Sequence, residues 1–444
     1  MFIAATAPIL TWTDDKFGGQ GRNDPQIERQ SASGGTMRAL IVLPCIAALF
    51  AAFQIDGVQA QSQPSSDPIS VPVLTPLTGA LAILGQDGKK GLEIAVHQIN
   101  ESGGIAGRQL SVEFTDSQGK PDVARREMER LVRLRQAPLV LGCDISAATS
   151  TAAQFAEASQ TPFFNVSAVS SEIINRHYRS YFTQQITSND EADTAVAFLK
   201  SLADANTGLK GQKIALLYED SPRGTDSGEL VRKLLEKEDA KPVIEVSYNR
   251  AERNLLPIMK KVQEKEPTIL VWAGYTEDVV AGIKAMQQLE FTPYVVGIGG
   301  GLGDPRLPEL VGAGFIDRLK VANIDYFSPD LKRVAYLTEQ YRKKYNALPS
   351  SYVGMCYAGG VTLGRILQRA YEKSANPTRE DLQKLLREFE LSEDHTAIPG
   401  AIKFDADGRN VGARALVAQW KDGASRKATV FPTAIATASA APLK

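Results

Sequence analysis

Between Pro68 and Phe431, short apolar and β-branched runs alternate with stretches whose apolar residues recur at helical spacing, and no other feature constrains the fold as much. ISVPVLTPLTG reads as a strand leaving for a loop, and GLEIAVHQINESGG as a helix with Leu92, Ala95, Val96 and Ile99 on one face. LSVEFTDSQG, PDVARREMERLVRL, PLVLG, SAATSTAAQFAEAS and TPFFNVS continue the alternation. Strands separated by helix-length connections pair in parallel, so the series predicts a doubly wound α/β lobe. A second series follows, in which KIALLYED, PVIEVSYN, TILVWAG and PYVVGIGG are strands and TDSGELVRKLLEKE, NLLPIMKKVQEKE and TEDVVAGIKAMQQL are helices. The chain is therefore expected to form two α/β lobes of similar plan.

A chain of 444 residues, 43% hydrophobic and 23% charged, has enough apolar material for two such cores. Its formal charge of −1 argues against a nucleic-acid partner, because neutralising many phosphates needs a basic surface. Three cysteines and three histidines, none paired at ligand spacing, predict no metal site. His97 and His177 fall on predicted helical or pre-helical surface and His395 in a polar loop, so no nucleophilic triad is assembled.

The N-terminal segment has a different character. From Met37, MRALIVLPCIAALFAAFQIDGVQAQ has a basic start, an apolar run and a small-residue VQA end, the pattern of a cleaved secretory signal. Its apolar run, broken by Pro44, is shorter than the roughly 20 residues that a spanning helix needs. Residues 1–36 read as an upstream extension, 37–60 as the signal peptide and 61–67 as a loose lead-in. Cys45 lies within the apolar run, and soluble export to the periplasm is expected rather than lipid anchoring.

The glycine-rich pieces do not signal a cofactor. GIGGGLGD fails the G-x-G-x-x-G spacing and GQDGKKG lacks the phosphate-loop gap, so both read as turns. FDADGRN lacks the later glutamate of a calcium loop, and its Asp407-Gly408 pair reads as a hairpin turn. In VLGCDISAATSTAAQFAE a strand runs into small hydroxyl residues that open a helix. Such a start offers backbone N–H groups and a dipole to an anion, though Ser146 would equally serve as a plain N-cap.

Taken together, VPVLTPLTGALAILGQDGKKGLEIAVHQINESGGIAGRQLSVEFTDSQGKPDVA, LVLGCDISAAT, SSEIINRHYRSYFTQQITSND and GAIKFDADGRNVGARALVAQW resemble the branched-chain amino acid and amide group of periplasmic solute-binding proteins. The resemblance runs from about Ile69 to Phe431. It implies the type I periplasmic-binding-protein fold: two doubly wound parallel-sheet lobes joined by three hinge crossovers, closing on a solute in the cleft. It assigns residues 68–185 and 325–395 to the first lobe, 186–324 and 396–431 to the second, and leaves 432–444 as a disordered tail. The implied role is capture of a small solute for the membrane permease of an ABC importer, by a monomer without cofactor, nucleic-acid partner or enzymatic activity. A sensor lobe of a receptor or regulator is the alternative of another class; it would call for a DNA-binding or membrane-spanning segment that the sequence is not expected to carry.

The same resemblance names a site. Ser146 matches a serine that holds a ligand carboxylate, with Ala147 beside it. Ser167, Ala168 and Val169 occupy the following loop, where Val169 stands in place of a threonine and Ser170 is a possible substitute. Gly299 stands where amino-acid binders carry a glutamate for the ligand ammonium, and Leu84 replaces an aromatic at the cleft mouth. Tyr275 matches a ligand-stacking tyrosine. Arg223 replaces another tyrosine, either as a fork for a carboxylate or as a solvated loop arginine. These changes favour an organic or aromatic acid; a branched-chain or other amino acid, its ammonium served by Asp144 or Glu277, is the alternative. Relatives often carry a disulfide near Cys143, but its partner position holds no cysteine here, so Cys143 and Cys356 are expected to be free buried thiols.

Overall fold

The computed structural model describes residues 67–203 and 207–443. The upstream extension, the signal peptide and the lead-in as far as residue 66 lie outside the described residues.

The first lobe is built on a five-stranded parallel sheet of order β2-β1-β3-β4-β5. Its strands are β1 (Ile69–Thr75), β2 (Leu110–Asp116), β3 (Val140–Gly142), β4 (Phe163–Asn165) and β5 (Tyr181–Thr183), joined through α1 (Ala82–Glu101), α2 (Pro121–Arg133), α3 (Ser146–Ala158) and the short α4 (Ser171–Ile174). The chain then crosses to α5 (Ser188–Leu202), capped reciprocally by Thr187 and Asp190, which satisfies two otherwise unpaired N–H groups. The second lobe continues through β6 (Ile214–Glu219), α6 (Pro222–Lys237), β7 (Ile244–Tyr248), α7 (Leu256–Gln263), β8 (Ile269–Ala273), α8 (Thr276–Gln288), β9 (Tyr294–Ile298), α9 (Leu307–Val311), α10 (Ala313–Arg318) and β10 (Ala322–Asp325). After a return to the first lobe for α11 (Ala335–Tyr345), α12 (Ser351–Lys373), α13 (Arg379–Glu388), β11 (Glu390–Leu391) and β12 (Ile402–Lys403), the chain ends with β13 (Leu416–Lys421) and β14 (Arg426–Phe431).

The inner strands β6, β8 and β9 are buried along their whole length, as strands covered by helices on both faces must be. Edge strand β7 instead alternates between half-buried and exposed residues until Tyr248. In the first lobe α12 is buried nearly all round and lies against α1. That closeness requires Gly91, because a Cβ there would sit 2.2 Å from the Val353 carbonyl oxygen.

Three expectations change. The second sheet is mixed, of order β14-β13-β10-β9-β8-β6-β7, because β13 and β14 form a hairpin and β13 pairs antiparallel with β10. Residues 396–412 stay with the first lobe: β12 pairs with β11, and Phe404 packs edge-on against Phe164 and Phe182, covering apolar surface beside β4 and β5. The end of the chain is docked rather than loose. The Ala441 N–H donates to Gln419 Oε1 at 2.7 Å, Tyr294 Oη donates to the Ala441 carbonyl, and Ala438, Ala440 and Leu443 pack on the core.

Three segments pass between the lobes, following β5, following β10 and preceding β13. They are bonded to one another, since Gln184 O accepts from Tyr326 Oη at 2.7 Å and from Asn410 Nδ2 at 3.2 Å.

Candidate functional site

Strand ends and helix starts of both lobes face each other across the cleft and line a narrow cavity between them. This is where open parallel sheets place ligands, because loops at the strand C-termini are free to vary while the sheet stays rigid. From the first lobe come Ser146 at the start of α3, Ser167 and Val169 after β4, and Ser351, Tyr352 and Met355 in the first turns of α12. Gln185, Ile186 and Tyr326 line it from two crossovers, and Ile324 and Asp325 from the end of β10. The second lobe adds Glu191 from α5, Arg223 from α6, Tyr275, Gly299 and Gly300.

Of the nine residues expected at the site, Ser146, Ser167, Val169, Arg223, Tyr275 and Gly299 line this cavity. Ala147 is half-buried in the first turn of α3 and does not reach it. Ala168 is turned away, its N–H donating to Asn165 Oδ1 and its carbonyl accepting from Asn165 Nδ2. Leu84 is buried on α1 in the apolar cluster that also holds Tyr275, Tyr352 and Met355, and it does not line the cavity.

Ser146 is not a plain N-cap. Ile145 occupies the cap position, and Ser146 Oγ accepts from the Val169 and Ser170 N–H groups, each at 3.3 Å. Its own hydroxyl proton remains to be donated. Ser170 does not stand in for the missing threonine: its Oγ donates across the cleft to Asp226 Oδ2 at 3.2 Å, and the same oxygen takes the Ser171 N–H at 2.8 Å. Ser167 Oγ is spent on the Asp144 carbonyl at 2.8 Å.

Arg223 is buried, not solvated. It sits beside Pro222 in the first turn of α6, where the helix dipole disfavours a cation, so it needs a compensating charge. Glu191 supplies it, with both carboxylate oxygens 3.1 Å from Nη2. Burial is the largest single influence and works against the guanidinium's charge, yet Glu191 together with Tyr275, Glu219 and Tyr352 outweighs it and raises the Arg223 pKa. Burial pushes the Glu191 carboxyl above its ordinary range despite the opposing pull of Arg223. The guanidinium lies 5.9 Å from the Tyr275 ring centroid, and Arg223 Nη1 is buried without a hydrogen-bond partner.

Asp325 also faces the cavity, but its oxygens take the Tyr326 N–H at 2.8 Å, the Phe327 N–H at 3.3 Å, the Asn323 amide at 3.5 Å and the Ser351 hydroxyl. Burial raises its pKa while Lys427 pulls it down. A second contact across the cleft joins Arg306 Nη2 to Asp87 Oδ2 at 3.1 Å, with Ser350 Oγ donating to the same oxygen at 2.9 Å.

Sequence reasoning missed Glu191, Asp325 and the start of α12. For Glu191 a signal existed: with Ala195, Phe198 and Leu199 it lies on the buried face of α5, and a carboxylate on an apolar face requires a partner. The cysteine reading is overturned. Cys143, at the end of β3, and Cys356, on α12, form a disulfide with Cα atoms 6.1 Å apart. The bridge spans 213 residues, so no local spacing could announce it. Among the described residues no cluster of side chains suits a metal ion, and no helix is long and apolar enough to cross a membrane.

Comparison with known proteins agrees with this architecture. The profile of the periplasmic binding protein family matches residues 68–425. A curated relative, Leu/Ile/Val-binding protein homolog 7 of Brucella abortus, is 27% identical over 395 residues, covering 87% of this chain and 96% of its own. Among solved structures, the branched-chain amino acid substrate-binding protein LivJ of Streptococcus pneumoniae, in complex with isoleucine, superposes with a TM-score of 0.67 at 18% identity over 81% of this chain and 98% of its own. A solute-binding protein of an ABC transporter from Rhodopseudomonas palustris, in complex with 3,4-dihydroxybenzoic acid, gives 0.68 at 17% identity over 80% and 94%. The two-lobed fold, the cleft cavity and the family match over most of the chain lead to one conclusion: this chain belongs to the periplasmic binding protein family and has its two-lobed type I fold.

Proposed function

We infer that the protein is the extracytoplasmic substrate-binding component of an ABC importer, exported by a cleaved signal and acting as a monomer that delivers its solute to the membrane permease. The solute is a small organic acid, with an aromatic acid favoured. The observation that carries this reading is Arg223. Its guanidinium is buried in the cavity wall, with Nη1 unpartnered and Nη2 occupied by Glu191. An unpaired buried donor on a cation is costly, and a ligand carboxylate removes that cost with a charge-assisted hydrogen bond. The Ser146 hydroxyl offers a second donor, and Tyr275 and Tyr352 supply flat apolar surface for a ring.

A second reading, an amino acid, has support in Glu191, whose carboxylate could accept from an ammonium, and in the names of the curated relatives. Titration calorimetry against benzoate, 4-hydroxybenzoate, leucine and isoleucine separates the two. Acid binding lost in Arg223→Ala supports the first; leucine binding that survives Arg223→Ala rejects it.

A further inference from the structure

We propose that Glu191 is a specificity-determining residue, which limits the ligand to one anionic group and reads a hydrogen-bond donor, such as a hydroxyl, elsewhere on the ligand. This rests on the acid reading above.

A carboxylate offers about four acceptor positions. Those of Asp325 are taken by two backbone N–H groups, Ser351 and Asn323. Glu191 spends only two, both on Arg223 Nη2, so it keeps accepting capacity toward the cavity it lines. The charges around it have one dominant sign. Glu191 and Asp325 line the cavity against the single lining guanidinium, that of Arg223; beyond the lining, Asp226 adds a third carboxylate and Arg250, 5.3 Å from the Tyr275 ring centroid, a second guanidinium. Lys427 acts on Asp325 from behind, its Nζ donating to the Gly303 carbonyl at 2.6 Å. One ligand carboxylate finds Arg223 Nη1 and the Ser146 hydroxyl. A second would face Glu191 and Asp325 in a water-poor space where like charges repel strongly. A neutral hydroxyl in its place donates to Glu191.

The test is calorimetry on the purified protein with 4-hydroxybenzoate and terephthalate, which carry the same carboxylate and differ in the group opposite it. The expected result is that terephthalate binds at least about tenfold more weakly, and that Glu191→Gln, which keeps the shape and removes the charge, brings the two within about threefold. The variant's fold is checked by its denaturation curve. Parity of the two acids in the wild type overturns the proposal and leaves the acid reading standing, and that comparison needs no substitution. An unchanged gap in a folded Glu191→Gln protein also overturns it. Binding of leucine with neither acid bound overturns both readings.

Discussion

The Arg223 guanidinium fills the space that a side chain on residue 299 would need: a Cβ on Gly299 would lie 2.1 Å from Nη2 and 2.6 Å from Cζ. Gly299 also has φ +86°, a backbone conformation that costs other residues about 1–3 kcal/mol. The two positions are therefore coupled, an arginine from α6 being accommodated because residue 299 has no side chain. Gly299→Ala is expected to destabilise the protein by roughly that amount and to weaken acid binding by displacing Arg223. Denaturant titration and calorimetry on the same preparation check both; an alanine variant with wild-type affinity would dissociate the two residues.

Removing one member of the buried pair should be worse than removing both. Arg223→Met leaves the Glu191 carboxylate buried without its cation, a loss of about 3–5 kcal/mol, whereas Arg223→Met combined with Glu191→Gln should recover most of it. A double-mutant cycle by urea unfolding measures the difference. Ligand affinity stays low in both, because neither keeps the guanidinium.

The Cys143–Cys356 bridge ties the turn that carries Ser146 to the helix that carries Ser351, Tyr352 and Met355. Thiol labelling of the unfolded, unreduced protein should find neither cysteine. Reduction, or Cys143→Ser with Cys356→Ser, should cost about 2–5 kcal/mol of stability and lower affinity, since two walls of the cavity lose their tether. Unchanged affinity at reduced stability would confine the bridge to a structural role.

Two buried carboxyls set a pH dependence. Burial pushes Asp144 and Asp278 up to about 7. Asp144 Oδ1 takes the Ile145 N–H at 2.7 Å while Oδ2 has no partner, and Asp278 accepts from Tyr248 Oη and the Tyr275 N–H. Between about pH 4 and 7 the folded chain binds more protons at these groups than the unfolded chain does, so their contribution to stability falls as pH rises. Unfolding free energies measured across that window should show the decline, and Asp144→Asn should reduce its slope by about one proton. A slope that is the same in the variant would remove Asp144 from the account.

Arg306 and Asp87 bridge the lobes, with Arg306 partly exposed and Asp87 buried. Arg306→Ala should shift the unliganded protein toward an open form and weaken binding a few-fold, as expected for a pair of about 1 kcal/mol or less. Small-angle scattering should record a larger radius of gyration without ligand and little change with it. Identical scattering from both proteins would assign the arginine to Asp304 alone.

The alternating pattern of strands and helices by itself determined the α/β architecture, the parallel first sheet and the place of Ser146 at a helix start, because hydrophobic periodicity is a local property of the chain. The family resemblance, not the periodicity, singled out Arg223 and Gly299, and it did not show their dependence on each other. The tertiary structure alone decided what requires distant segments to meet. The disulfide joins residues 213 positions apart, Glu191 reaches Arg223 from a different helix, and Phe404 holds the third crossover back on the first lobe. Even the final residues, which read as a tail of small side chains, gain their order from Gln419 and Tyr294. In each case the deciding energy belongs to a contact between segments far apart in the chain. Local periodicity carries no record of such a contact, because it exists only after the lobes have packed.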